Sequence, residues 1–189
     1  LRHGIEVVGI ADHAGIDRID ALRGTLQVSG VVVFPGFEIA CTEKFHMVCL
    51  FPESTSRDEL NRYLGALGLT NPDKTVWPSS KGCREIAREV AALGGFWYAA
   101  HATLDNGILV RRSMHNWVDP EQLRAIQIPG STGDLPTEFR NIVLDKDPNW
   151  KRGRPVAVIN AKDVAIPEDL ADPSATGLMK MTRPTFAAF

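Results

Sequence analysis

Cysteine is scarce in this chain. Three are found among 189 residues, and Cys41, Cys49 and Cys83 form no CxxC or other paired spacing. That argues against a disulfide framework and makes a reducing cytoplasm the expected compartment. An excess of one charge is missing too: 21 Lys and Arg stand against 23 Asp and Glu, for a formal net charge of −2. With no surplus of cations to neutralise phosphates, general binding to nucleic acid or to a membrane surface is not expected. No apolar run approaches the roughly 20 residues that span a bilayer, and no basic-then-apolar signal peptide opens the chain. Repeats, low-complexity tracts and a G-x-x-x-x-G-K-[ST] phosphate loop are absent; Gly130-Ser131-Thr132-Gly133-Asp134 is glycine-rich but reads as a turn.

What is present suits one globular domain over 1–189, with 44% hydrophobic residues. Short apolar runs alternate with helical patterns. Ile5–Ile10 reads as a strand, and a helix is expected from Ile16, with Ile16, Ile19, Leu22 and Leu26 on one face. Val31–Phe34 is a second run, expected to break at Pro35-Gly36 and resume over residues 37–40. Phe45–Phe51 is a third. Ser56 and Glu59 form a capping box ahead of Leu60, Tyr63, Leu64 and Leu67. Ser79 or Ser80 is expected to cap another helix, which Gly94-Gly95 ends. Phe96–Ala100, Leu123–Ile128 and Pro155–Asn160 complete the strands, and Asp145–Arg154 reads as a surface loop. The alternation implies an α/β fold with parallel strands.

Polar residues recur where these runs end. Asp12-His13 follows the first, Glu38 the second, His101 follows Phe96–Ala100, and Asp163 follows Asn160; His46 opens its own run. In parallel α/β folds the carboxyl ends of the strands share one face, where ligands bind. Histidines and carboxylates gathered there match the donor set of Zn, Mn or Fe. Such ions activate water and offset charge building on a phosphoryl group. The competing reading is that each residue is a loop anchor or a helix cap, Asp12 ahead of Ile16 above all.

These stretches resemble the PHP family, named for polymerase and histidinol phosphatase domains. Gly9-Ile10-Ala11-Asp12-His13 resembles its T-D-H motif, Phe34-Pro35-Gly36-Phe37-Glu38 its P-G-x-E motif, and His46 with the apolar residues after it its H-x-L element. Ala100-His101-Ala102 is similar to a-H-P, and Asn160-Ala161-Lys162-Asp163-Val164-Ala165 to S-D-x-H. The resemblance runs from about Gly4 to Met181. It implies a distorted (β/α)7 barrel with up to three divalent metals. Glu38 would bridge two of them, His46 and His101 would bind one shared ion, Asp163 another, and His13 a third. Lys180-Met181-Thr182-Arg183-Pro184-Thr185-Phe186 is similar to the run that joins a PHP domain to a large ATPase, so residues from about 182 to 189 are expected to begin a connection to a downstream ATPase region.

Two departures stand out. The family's opening H-x-H has no counterpart, His3 being the only earlier histidine, and its last His corresponds to Ala165. The chain opens on Leu1 rather than Met and offers about six strands where the resemblance implies seven. It is therefore expected to be a piece of a longer protein that lacks the first strand, and to bind metal more weakly than its parent.

The functional expectation is a metal-dependent phosphoesterase, with Glu38, His101 and Asp163 as catalytic residues. Its substrate would be a phosphorylated small molecule or a nucleic-acid end, contacted by Arg111 or Arg112. The alternative is a non-catalytic PHP-derived module that regulates the attached ATPase. Lys151-Arg152-Gly153-Arg154 reads as a solvated basic run, and His115 as structural or exposed. The three cysteines read as structural thiols.

Overall fold

The computed structural model describes residues 4–13, 15–69, 78–119 and 122–189; His3 lies outside them. The chain divides into two compact units. One holds Leu1–Thr42, Met47–Trp97 and Met179–Phe189, the other Glu43–His46 and Tyr98–Leu178. Among the described residues there are six strands, one fewer than the seven of the resemblance, and the fold is mixed α/β.

In the first unit, β1 (Val7–His13) pairs in parallel with β2 (Val32–Ala40), in a register that sets Asp12 opposite Phe37 and His13 opposite Glu38. Strand β1 overruns its expected end at Ile10. Asp12 therefore lies within β1, its Oδ1 accepting the His13 N–H at 2.8 Å, and it caps no helix. The helix between them, α1 (Ile19–Val28), begins after Arg18 and buries Ile19, while Leu22 is left exposed. Strand β2 also runs unbroken through Pro35-Gly36. The Pro35 carbonyl accepts from Phe51 N–H at 2.9 Å. At Gly36 a Cβ would stand 2.1 Å from the Cys49 carbonyl oxygen, so only glycine permits this approach of β2 to β3 (His46–Leu50).

The capping box of α2 (Arg57–Ala66) forms as read, with Glu59 N–H on Ser56 Oγ at 3.2 Å and Ser56 N–H on Glu59 Oε2 at 2.8 Å. Leu60, Leu64 and Leu67 are fully buried behind it. Helix α3 (Cys83–Ala92) begins at Gly82, not at a serine. Ser79 is buried instead, donating to the Leu67 carbonyl and accepting from Lys81 N–H. The segment after Met179 packs within this unit. Phe186 and Phe189 lie against Phe34, Phe189 also against Phe96, and Phe186 N–H donates to Glu53 at 2.8 Å.

Strand β4 (Phe96–Ala99) enters the second unit, where Ala99 pairs in parallel with Ile126 of β5 (Ala125–Ile128). After β4 comes a single-turn helix, α4 (Met114–Trp117). Beyond β5, α5 (Thr137–Val143) precedes β6 (Ala157–Asn160), which pairs in parallel with β5 along all four residues. Ser131 and Asp134 cap a short 3-10 turn in the glycine-rich stretch, consistent with a turn.

The 145–154 segment is the surface loop expected, most of its residues exposed, but three of them anchor it and Arg152 is not solvated. Asp145, Trp150 and Arg152 are all buried. Arg152 donates its backbone N–H to Asp145 Oδ1 at 2.8 Å and its guanidinium to the Leu123 carbonyl, and it stacks over Trp117 at 5.5 Å. Among the described residues, no helix is long and apolar enough to cross a membrane.

Several carboxylates are tied to donors in this fold. Backbone N–H groups hold Asp145 and Asp169 below the usual carboxylate range, the Lys162 ammonium and then Ser174 do so for Asp172, and serine donors do the same for Asp134 and Glu59. A group whose pKa falls on folding stabilises the fold above its unfolded value of about 4, and that stability is lost as pH drops. Thermal melts should therefore hold a steady midpoint from pH 7 down to about 5 and fall steeply below about 4. A midpoint that is flat down to pH 3 would contradict this.

Candidate metal centre

In the first unit the parallel register of β1 and β2 brings two of the expected ligands together. His13 Nε2 lies 3.5 Å from Glu38 Oε1, with the histidine half-exposed and the carboxylate buried. Two donors on one tetrahedral ion at about 2.1 Å stand about 3.4 Å apart, so the pair has the spacing of a shared cation. The charge on Glu38 also reaches Cys49, whose thiol is pushed well up, first by complete burial and then by that carboxylate. Cys41, Cys49 and Cys83 are all buried and unbridged, as inert thiols would be.

The second unit holds the other expected ligands. His46 is buried; its N–H donates to the Asn106 carbonyl at 3.0 Å and its carbonyl accepts from Ala100 N–H at 3.1 Å. Its ring meets that of His101 edge-on, with centroids 5.1 Å apart. Two imidazoles on one tetrahedral ion would set their centroids about 5 Å apart, so this geometry also fits the donor set. His101 sits just past β4 with φ at +30°, a conformation that is strained for a residue with a Cβ. At Gly107 a Cβ would stand 2.4 Å from the His101 carbonyl oxygen, so the following loop folds directly over this turn.

His101 and Asp163 share the wall of an open groove of about 760 Å³, together with Asp105, Gln127, Lys162 and Asp169. Lys162 pairs with Asp172 at 2.5 Å, which keeps its ammonium protonated beyond the usual range. Asp163 is exposed. Arg111 is engaged with the Asn106 side chain, and exposed Arg112 pairs with Glu138 at 2.8 Å. His115 is exposed and lies 3.8 Å from Glu43.

Two positioning residues escaped the sequence reading. Gln127 accepts from His101 N–H at 3.4 Å and donates to the Ala161 carbonyl at 3.1 Å, tying the chain after β4 to the chain after β6. Asn160 takes the Gly130 N–H at 2.7 Å and donates to the Pro173 and Thr176 carbonyls. The available signal was a lone amide in the otherwise apolar run Ala125-Ile126-Gln127-Ile128. Gln127→Leu should destabilise the protein by about 0.5–1.5 kcal/mol, because the part-buried Ala161 carbonyl loses its partner. Urea unfolding checks this; an unchanged midpoint would show the amide to be dispensable.

No protein-family model matches the chain, and neither does any curated protein. Solved structures do. One is the lesion-specific endonuclease Q from Pyrococcus furiosus, with 14% identity over 74% of this chain and 37% of that one, at a TM-score of 0.51. A second is endonuclease Q in complex with a 27-mer duplex substrate carrying an abasic lesion at the active site, with 12% identity over 84% of this chain and 40% of that one, at 0.52. A two-domain Bacteroides vulgatus protein containing a predicted PHP-like metal-dependent phosphoesterase matches at 0.41, with 14% identity over 66% of this chain and 35% of that one. The chain thus shares a fold with part of endonuclease Q and spans about two fifths of that protein's length.

Proposed function

We propose that this chain is the metal-binding part of a phosphoesterase. Divalent ions would be held through His13 and Glu38 in the first unit and through His46, His101 and Asp163 in the second. The observation that carries the reading is the His46–His101 pair, with His101 on the groove that also carries Asp163. Zn, Mn or Fe, when bound, supplies polarisation of phosphoryl oxygens and acidification of water. The chain's own residues bind and orient. Glu38 offers two oxygens from a buried position suited to a shared ligand, and His101 presents its imidazole from a turn with φ at +30°, beside the ring of His46.

The fold likeness to endonuclease Q, one structure of which holds a lesion-bearing duplex, supports a phosphate ester as substrate, either a small molecule or a nucleic-acid end. The PHP-like motifs support the same chemistry. The run from Lys180 to Phe186 supports a finer version in which the protein continues into an ATPase region. Ala165, standing where a PHP domain carries its last His, supports a second reading, a non-catalytic module that regulates that ATPase.

Turnover of bis-p-nitrophenyl phosphate and p-nitrophenyl phosphate with Mn²⁺, compared between wild type, Glu38→Ala and His101→Ala, separates the two. A phosphoesterase loses turnover in both variants. A module that holds metal but turns over neither ester in any form is the second reading.

A further inference from the structure

We propose that the groove of the second unit is the seat of a small organic phosphate ester, with Lys162 taking the phosphoryl oxygens and Leu104 and Val110 the organic group. This rests on the metal-dependent reading above. Lys162 lines the groove next to Asp163 in sequence, and its side chain is about one-third exposed. It is also held in place: Asp172 binds it at 2.5 Å and is itself fixed by Ser174 N–H at 2.8 Å and Ser174 Oγ at 2.7 Å. An ammonium has three donors, so two remain for a further acceptor. A positioned cation beside a proposed metal ligand has the placement of a phosphate anchor.

The groove's carboxylates decide when that anchor works. Asp105, Asp163 and Asp169 would repel a phosphate dianion. Asp169 is already committed to the Ala165 and Ile166 N–H groups at 2.9 and 3.1 Å, and a cation on Asp163 would offset a second charge. Phosphate affinity should therefore rise with bound metal.

The rest of the wall is apolar. Leu104 and Val110 are among the large hydrophobic side chains left exposed, at 51% and 40%, and both lie in this groove with Pro129. A single exposed leucine needs no explanation, but two aliphatic side chains and a proline in one concavity form a shelf for an apolar group. The volume of about 760 Å³ suits a small molecule.

The test uses phenylphosphonate and methylphosphonate, which cannot be hydrolysed, with Mn²⁺ followed by electron paramagnetic resonance. Lys162→Met should hold Mn²⁺ as wild type does but bind phenylphosphonate about tenfold more weakly, while Lys162→Arg stays within about threefold of wild type. Leu104→Ser should erase an expected preference of about fivefold for phenyl over methyl. Phosphonate binding unchanged in Lys162→Met, or a preference that survives in Leu104→Ser, would overturn this assignment and leave the metal reading standing. A wild-type chain that holds no Mn²⁺ would overturn both. A 5′-phosphorylated oligonucleotide that competes about tenfold better than phenylphosphonate would overturn the small-ester assignment in favour of a nucleic-acid end.

Discussion

Replacing Glu38 with alanine should weaken divalent-metal binding by about a hundredfold or more, further than the loss of any single histidine. Glu38 is buried at 9% exposure, and its carboxylate lies 3.5 Å from His13. A buried carboxylate is costly unless something compensates it. A cation does so, and a ligand shared by two ions serves both. Glu38→Gln keeps the shape and removes the charge, so it should lose nearly as much metal as Glu38→Ala while folding at least as well as wild type. The measurement is competition against a chelating dye, with circular dichroism to confirm folding. Equal losses in Glu38→Ala and in His13, His46 or His101 variants would count against a shared ligand.

The second large effect belongs to His101, where site and strain coincide. With φ at +30° the residue occupies a region that glycine enters freely and histidine does not. His101→Gly should therefore melt higher than His101→Ala, by an amount that reflects about 1 kcal/mol or more of relieved strain. Both variants should bind metal at least about tenfold more weakly than wild type. A structural histidine would give a different pattern, with metal affinity unmoved in either variant. If His101→Ala melts above His101→Gly, the strain argument fails.

Much of the fold was legible because local pattern and long-range packing agree at those places. The apolar runs ending at His13, Glu38, His101 and Asn160 are strands, and the Ser56–Glu59 cap is a local device that needs no distant partner. Three of the misreadings share one cause, a partner on another segment of the chain. Pro35-Gly36 reads as a break until the Cys49 carbonyl beside it shows why a glycine is needed inside a continuous strand. Ser79 reads as a cap, yet the carbonyl it serves is that of Leu67, 12 residues back. Arg152 reads as solvated, yet Trp117, Leu123 and Asp145 enclose it. At the site, the ligand types could be read from the strand ends, and the histidine–glutamate register follows from parallel pairing. The amides of buried Gln127 and part-buried Asn160, which fix the loops carrying His101 and Asp163, could not be read, because their acceptors and donors lie on other strands and loops.

The most direct test is elemental analysis of the purified chain after exposure to Mn²⁺ or Zn²⁺ and exhaustive dialysis, alongside Glu38→Ala. The wild type should retain at least one ion per chain and Glu38→Ala markedly less. A wild-type chain that retains none, or a variant that retains as much as wild type, would contradict the metal-dependent account.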